Sequence, residues 1–355
     1  MTVYLIYMAM PGIVYLLMNG LNRSFENDQK FKRQYLIVVG IIMALMIGLR
    51  APTNGSGDTK LYCELWDTLG VLSFREFQVY YKNIDMEIGF QVAVWCLSHV
   101  LKNSQWLLVL TGAFMSFSVC LFTYKNCKNP VLAILAFNCL GLFNFMVQGM
   151  RQAIAMCICL WAIDQCVKRK FIRFAIIVVI ASLFHASAFV FAAVYFIAIF
   201  KINIESFVAF SILAGAFAIV FPKIFDLVNT VINDNYGLND GSNEGGIFAI
   251  LIYIAIIMFG LVFKDRNDKQ YALFVYMAII GLVCMMLRLT SSAIIERVSY
   301  FYAFSQMVII SDSVNSLSIK RERAILSMVV FALCFGVAIY KASYSILVPY
   351  NFFWQ

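Results

Sequence analysis

The sequence predicts an all-α protein that crosses a membrane many times. Three observations carry this. The 355 residues are 63% hydrophobic and only 13% charged, where a soluble chain would carry about 25% charged residues. Mean hydropathy is +0.84. The apolar residues fall in repeated runs of roughly 15–20, long enough as helices to cross about 30 Å of hydrocarbon. Period-two alternation is absent, which argues against a β-barrel and leaves helices as the spanning structure.

The net charge of +8 would suggest nucleic acid in a soluble protein. Here the basic residues cluster in short connectors such as KRKFIR (168–173) and IKRER (319–323). That is the pattern of cytoplasmic, topology-setting loops, and no nucleic-acid partner is expected. Most of the ten cysteines lie in apolar segments such as MCICL (156–160), where Cys behaves as a small hydrophobe. With the isolated His99 and His185 they make no metal set, so no metal is expected. The N-terminal MTVYLIYMAMPGIVYLLM has no basic n-region or cleavage site and reads as a retained first helix.

Residues 1–355 are read as one integral membrane domain of eleven to thirteen membrane helices. The first covers 3–18, and the basic NRSFENDQKFKR that follows lies inside. The second covers 35–49 and ends at Arg50. Residues 50–104 are the longest polar stretch and read as an external loop, with 88–101 too short for a full span and suited to a half-inserted helix. Spans follow over 105–124, 130–147 and 151–167. Residues 171–200 are apolar with basic ends, which fits two short helices meeting near His185. After a span over 205–221, the acidic, Gly/Asn-rich 222–246 reads as a second external loop. Helices over 247–263 and 270–287 flank the inside loop KDRNDK, and 293–312 and 324–347 complete the chain. This topology puts Arg50, Asp58, Glu87, Arg151, His185, Arg288 and Arg297 at or near the outer face. No internal repeat of the transporter kind is present.

The polar residues in apolar surroundings carry the chemistry. NFMVQGMRQAIAM (144–156) holds Arg151 between Gln148 and Gln152. At i, i+3 and i+4 these share one helix face, with the amides fixing the direction of the guanidinium. Five donors suit a phosphate; the plainer alternative is an arginine snorkelling to headgroups. In MMLRLTSSAIIERVSYFYAF (285–304), Arg288 closes one helix, TSSA turns, and Arg297 and Tyr300 share a face of the next. This is either a second basic clamp or a structural tie through Glu296. In GLRAPTNGSGDTKLY (48–62), Arg50 precedes a flexible turn with Asp58, Thr59 and Tyr62, as in a site-forming loop or an ordinary surface loop. DME (85–87) supplies Glu87 next to an apolar segment, with Asp85 suited equally to an N-cap. His185 in SLFHASAF can serve as a base at neutral pH or as a hydrogen-bonded core residue.

Together, R…DT…Y, ME-x-GF, RQAIA, FHASA and ER-x-x-YF resemble the EpsG family of Wzy-like polysaccharide polymerases, relatives of the O-antigen polymerases, over about 35–310. MRQAIA stands where the family shows IRQ-x-(I/L)A, and HAS where it shows H-x-S. The resemblance implies a bacterial inner-membrane enzyme of GT-C-like architecture, acting at the periplasmic or outer face. Its substrate would be a polyprenyl-diphosphate-linked oligosaccharide, and its partners by analogy a flippase and a chain-length regulator. The growing glycan would pass from its lipid diphosphate to a hydroxyl of an incoming lipid-linked repeat, with no cofactor. The leaving diphosphate calls for arginine donors, here Arg151, Arg288, Arg297 and Arg50. The acceptor hydroxyl calls for a base, with His185, Glu87 and Asp58 as candidates. Tyr62 and Tyr300 suit sugar stacking, and Gln148, Gln152 and Thr59 suit orientation.

Three other readings stay open. A single-sugar GT-C transferase would lean on an acidic pair in the first external loop, where DME is the one candidate. An O-antigen ligase shares the donor but has a larger late external loop. A lipid-oligosaccharide flippase would line its whole pathway with basic residues and show two-fold repeats.

Overall fold

The computed structural model describes residues 1–18, 28–54, 57–203, 246–263, 268–289, 293–343 and 347–355, with Ser345 and scattered residues between 205 and 216. Fifteen helices are labelled below. They are α1 (Thr2–Met18), α2 (Gln29–Gly48), α3 (Gly57–Leu69), α4 (Phe74–Tyr80), α5 (Ile88–Val100), α6 (Gln105–Asn126), α7 (Pro130–Cys139), α8 (Leu142–Gln148), α9 (Met150–Val167), α10 (Phe171–Ser182), α11 (Ala193–Ile197), α12 (Gly246–Phe263), α13 (Lys269–Arg288), α14 (Ala293–Asn315) and α15 (Lys320–Ala342). Among the described residues there are no strands; Arg50 and Phe352 form an isolated antiparallel bridge.

Six helices, α2, α6, α9, α12, α13 and α15, are long and apolar enough to cross a membrane, and α7 with α8 makes a seventh if taken as one bent span. The expected eleven to thirteen also takes in shorter apolar segments (α1, α5, α10 and Ala186–Ile197) and α14, none of which is a full span by length and composition. The 205–221 and 222–246 expectations fall largely outside the described residues.

Two elements differ from expectation. The single span over 130–147 is broken into α7 and α8, bent by 54°, because Gly141 takes φ +111° between them, a conformation that side chains disfavour. Within 50–104, α5 falls on the helix expected over 88–101, whereas α3 and α4 are helices where no helix is expected. α3 buries Tyr62, Leu65, Trp66 and Leu69, the i, i+3, i+4, i+7 stripe of an amphipathic helix. Side-chain bonds anchor this layer: Trp66 Nε1 donates to the Leu101 carbonyl at 3.0 Å and Trp95 Nε1 to that of Leu72 at 2.9 Å.

The core lies along α7, α9, α13 and α14, whose buried residues form one continuous apolar cluster. Around it α2 packs on α6, α10 on α9, and α12 on α13 and α14. α12 and α15 bury only 28% and 17% of their apolar stretches inside the bundle, as lipid-facing helices do.

Polar contacts gather at the two ends of this bundle. At one end Lys32 Nζ donates to the carbonyls of Tyr124 and Cys127, the Lys128 amide donates to Asp312, and Lys125 pairs with Asp164. The basic residues of 168–173 and 319–323 follow the ends of α9 and α14 on this side. The opposite end of α14 carries Glu296 and Arg297, about 24 Å away at 1.5 Å per residue. The residues singled out by their polarity lie at this second end.

Candidate functional site

A glycine contact builds the site. The first turn of α5 docks on the backbone just before His185: the Gly89 amide donates to the Leu183 carbonyl at 2.8 Å. A Cβ on Gly89 would lie 2.6 Å from that oxygen, so no other residue allows this approach. Gln91, buried in the same turn, donates from Nε2 to the Met86 carbonyl at 2.7 Å and holds the chain entering α5. Glu87 is the N-cap residue, yet its side chain makes no cap bond; it is turned away toward α9 and His185.

Glu87 thereby joins two groups from distant parts of the chain. One carboxylate oxygen lies 2.6 Å from His185 Nδ1 and accepts the Ala186 amide at 2.9 Å. The other pairs with Arg151. Arg151 Nε also donates to the Tyr62 hydroxyl at 2.9 Å. The side chains of Arg151, Glu87 and His185 keep 21%, 18% and 24% exposure, enough to be reached.

Burial alone would raise the Glu87 carboxyl. The hydrogen bonds from His185 and the Ala186 amide, with the Arg151 charge, outweigh it and hold the group down to about 2. An ionised carboxylate only accepts hydrogen bonds, so Nδ1 of His185 carries a proton, and in the neutral ring the lone pair is on Nε2. Among the described residues no hydrogen bond occupies Nε2.

Tyr62, Arg151 and His185 border a cavity of about 250 Å3, lined also by Asp58, Gln148, Gln152, Glu296, Arg297 and Tyr300, with Glu87 behind Arg151 and His185 rather than in the lining. Arg297 is exposed and has no ion pair among the described residues. Tyr300 stacks on Phe145 with centroids 3.9 Å apart, and its hydroxyl donates to Glu296 at 3.2 Å. The cavity thus combines an oriented imidazole, two guanidinium groups, carboxylates and an aromatic wall.

A model of the EpsG family matches residues 33–352. The chain belongs to the EpsG family. This is a family of Wzy-like polysaccharide polymerases. No curated protein and no solved structure matches the chain.

Three of the five motifs that resemble the EpsG family supply lining residues to this one cavity outright: RQAIA through Arg151 and Gln152, FHASA through His185, and ER-x-x-YF through Arg297 and Tyr300. A fourth, ME-x-GF, supplies Glu87, which holds Arg151 and His185 without lining the cavity itself. The fifth divides. Asp58 and Tyr62 line the cavity; Thr59 is fully buried, with no hydrogen-bond partner for its hydroxyl among the described residues, and does not line it.

Three expectations about this EpsG-family site are corrected. Arg50 is 1% exposed and does not line the cavity. Its guanidinium donates to the Asn54 carbonyl, while the neighbouring backbone pairs with the C-terminal segment through Ala51–Asn351 and Phe353–Leu49 bonds of 2.9 Å. It is a structural clamp, and burial lowers it only to about 10, so it stays charged. Arg288 is tied to Glu296 at 2.9 Å and faces a neighbouring cavity instead. Gln148 and Gln152 do not flank Arg151 on one helix face. Gly149 separates α8 from α9, which takes Gln148 off the Arg151 helix, and Gln152 donates to the Arg297 carbonyl at 2.6 Å. Tyr62 and Glu87 hold the Arg151 guanidinium. Gly89 and Gln91 were not singled out from the sequence; the G of ME-x-GF was the available signal for the first.

Proposed function

We propose that the chain is a membrane glycosyltransferase of the polymerase type, with a GT-C-like architecture, in the bacterial inner membrane. It transfers a growing glycan from its polyprenyl-diphosphate carrier to a hydroxyl of an incoming lipid-linked repeat. The active site faces the periplasmic or outer side. Family membership supports the reaction class. The single observation that carries the chemistry is the Glu87 carboxylate bound to both His185 and Arg151, two residues that line one cavity.

In this reading His185 Nε2 takes the proton of the acceptor hydroxyl as its oxygen attacks the anomeric carbon. The bond from that carbon to the diphosphate oxygen breaks, and the electron pair leaves with the diphosphate. Arg151 and Arg297 donate to the charge that develops there. Glu87 holds the imidazole in the productive tautomer and stabilises the imidazolium, which then releases its proton to water. Asp58, Gln148 and Gln152 are placed to accept or donate to sugar hydroxyls, and Tyr62 and Tyr300 to pack on sugar rings. Arg50 and Thr59 have no part in this scheme.

The deciding experiment supplies purified lipid-linked repeats to membranes containing wild-type or His185→Ala protein. A ladder from the wild type and single repeats from the variant are expected. A ladder from both returns His185 to core packing. In cells, gene deletion is expected to leave surface glycan of one repeat; loss of all surface glycan would point instead to an earlier transferase or a flippase. Reporter fusions at 103 and 169 are expected on opposite sides of the membrane, with 103 outside.

A further inference from the structure

A second cavity, of about 370 Å3, lies against the first, and Glu296 and Tyr300 line both. Its charged groups are Arg288, Glu296 and Lys341. Glu296 accepts from Arg288 and from the Tyr300 hydroxyl, so this carboxylate is already engaged. Lys341 Nζ donates to the Leu140 carbonyl at 2.7 Å. The break between α7 and α8 frees that carbonyl, and Gly141 keeps the space clear: a Cβ there would lie 2.4 Å from Lys341 Nζ. Lys341 has no ion pair among the described residues. Two cations against one carboxylate leave the cavity one positive charge in excess, and a half-buried ammonium with one carbonyl partner is completed by an anion.

The cavity also has a lipid side. Its outer wall comes from α12 and α15, the two spans least buried by the rest of the protein among those described. The two helices meet there at the Phe248–Tyr340 ring pair, with centroids 4.8 Å apart. An anionic group carried on a prenyl chain can lie here with its chain between those helices.

We propose that this second cavity seats an anionic group of the second lipid-linked glycan, with Lys341 as its principal cation and Glu296–Tyr300 as the partition from the reaction cavity. The anion is the diphosphate of that glycan's carrier or an acidic sugar of its repeat. The inference rests on the polymerase reading, which requires two lipid-linked glycans bound at once.

The test uses the purified full chain in nanodiscs of uncharged lipid, with two probes: sugar-free polyprenyl diphosphate and a soluble acidic oligosaccharide. The wild type is expected to retain two polyprenyl diphosphates per chain, Lys341→Gln one, and Lys341→Arg two. Ala303→Leu fills the cavity without changing a charge and is also expected to retain one, independently of the Leu140 bond. If lipid retention is unchanged while oligosaccharide affinity falls at least tenfold in Lys341→Gln and Ala303→Leu, the anion is the acidic sugar. Equal retention of both probes by wild type and both variants overturns the second seat and leaves the polymerase reading standing. A wild type that takes neither probe overturns both.

Discussion

His185 Nδ1 lies 2.6 Å from Glu87 Oε1, across 98 positions of sequence. The same carboxylate binds Arg151 through its other oxygen. One acidic side chain therefore sets the tautomer of a base and the direction of a guanidinium, and neither can shift without disturbing the other.

Glu87→Gln keeps the shape and removes the charge. His185 loses its forced tautomer and Arg151 its ion pair. Turnover is expected to fall about 10²–10⁴-fold, measured as polymer formed from lipid-linked repeats in proteoliposomes. A rate within about threefold of wild type would remove Glu87 from the mechanism.

Arg151→Lys conserves the charge but not the geometry. One ammonium cannot reproduce the separate Nε bond to Tyr62 and the pair with Glu87. The glycan ladder is expected to collapse to single lipid-linked repeats on a gel; normal chain lengths would remove Arg151 from the diphosphate site.

Gly89→Ala tests the docking of α5. The added methyl meets the Leu183 carbonyl at 2.6 Å, so α5 must withdraw and take Glu87 with it. A destabilisation of about 1–3 kcal/mol is expected, read as a lower melting temperature, together with reduced turnover. Unchanged values for both would mean that the contact does not position the site.

The Glu87 carboxyl titrates at about 2 rather than the usual 4.5. A depressed carboxyl stabilises the folded state fully above its ordinary value, and that contribution is lost as pH falls toward the depressed one. The melting-temperature difference between wild type and Glu87→Gln is therefore expected not to shrink from pH 8 to pH 5, and to shrink below about 4.5. A difference that already shrinks between pH 7 and pH 5 would contradict the ion pair. Any acidic limb of activity in that range belongs to a group other than Glu87.

Arg50→Gln separates clamp from site. It removes the bond to the Asn54 carbonyl and loosens the C-terminal segment, at about 1–3 kcal/mol. The expected result is a lower melting temperature with turnover near wild type at permissive temperature. The opposite pattern, full stability and lost turnover, would restore Arg50 to diphosphate binding.

The parts legible in sequence were those set by local chemistry. Runs of apolar residues marked α6, α9, α12 and α13 to within a few residues, because lipid demands a long apolar helix wherever the chain crosses. The basic connectors and the polar site residues separated to opposite ends, since each crossing reverses the chain. α3 was misread because its Gly/Ser-rich approach and charged face masked the Tyr62–Leu65–Trp66–Leu69 stripe. The span over 130–147 was misread because nothing in its composition shows that Gly141 breaks it.

Sequence by itself determined that this is a multi-helix membrane protein of the EpsG family and that Glu87, Arg151, His185, Arg297 and Tyr300 were worth attention. Composition and short motifs suffice for that, because each records one local demand. Tertiary structure alone decided which of those residues meet: Glu87 with His185 and Arg151, Arg288 with Glu296, Arg50 with the C-terminal segment, and Lys341 with the broken turn at Leu140. Those pairings depend on how helices pack and where two backbones come within one missing Cβ of each other, and such distances arise between elements far apart in the chain.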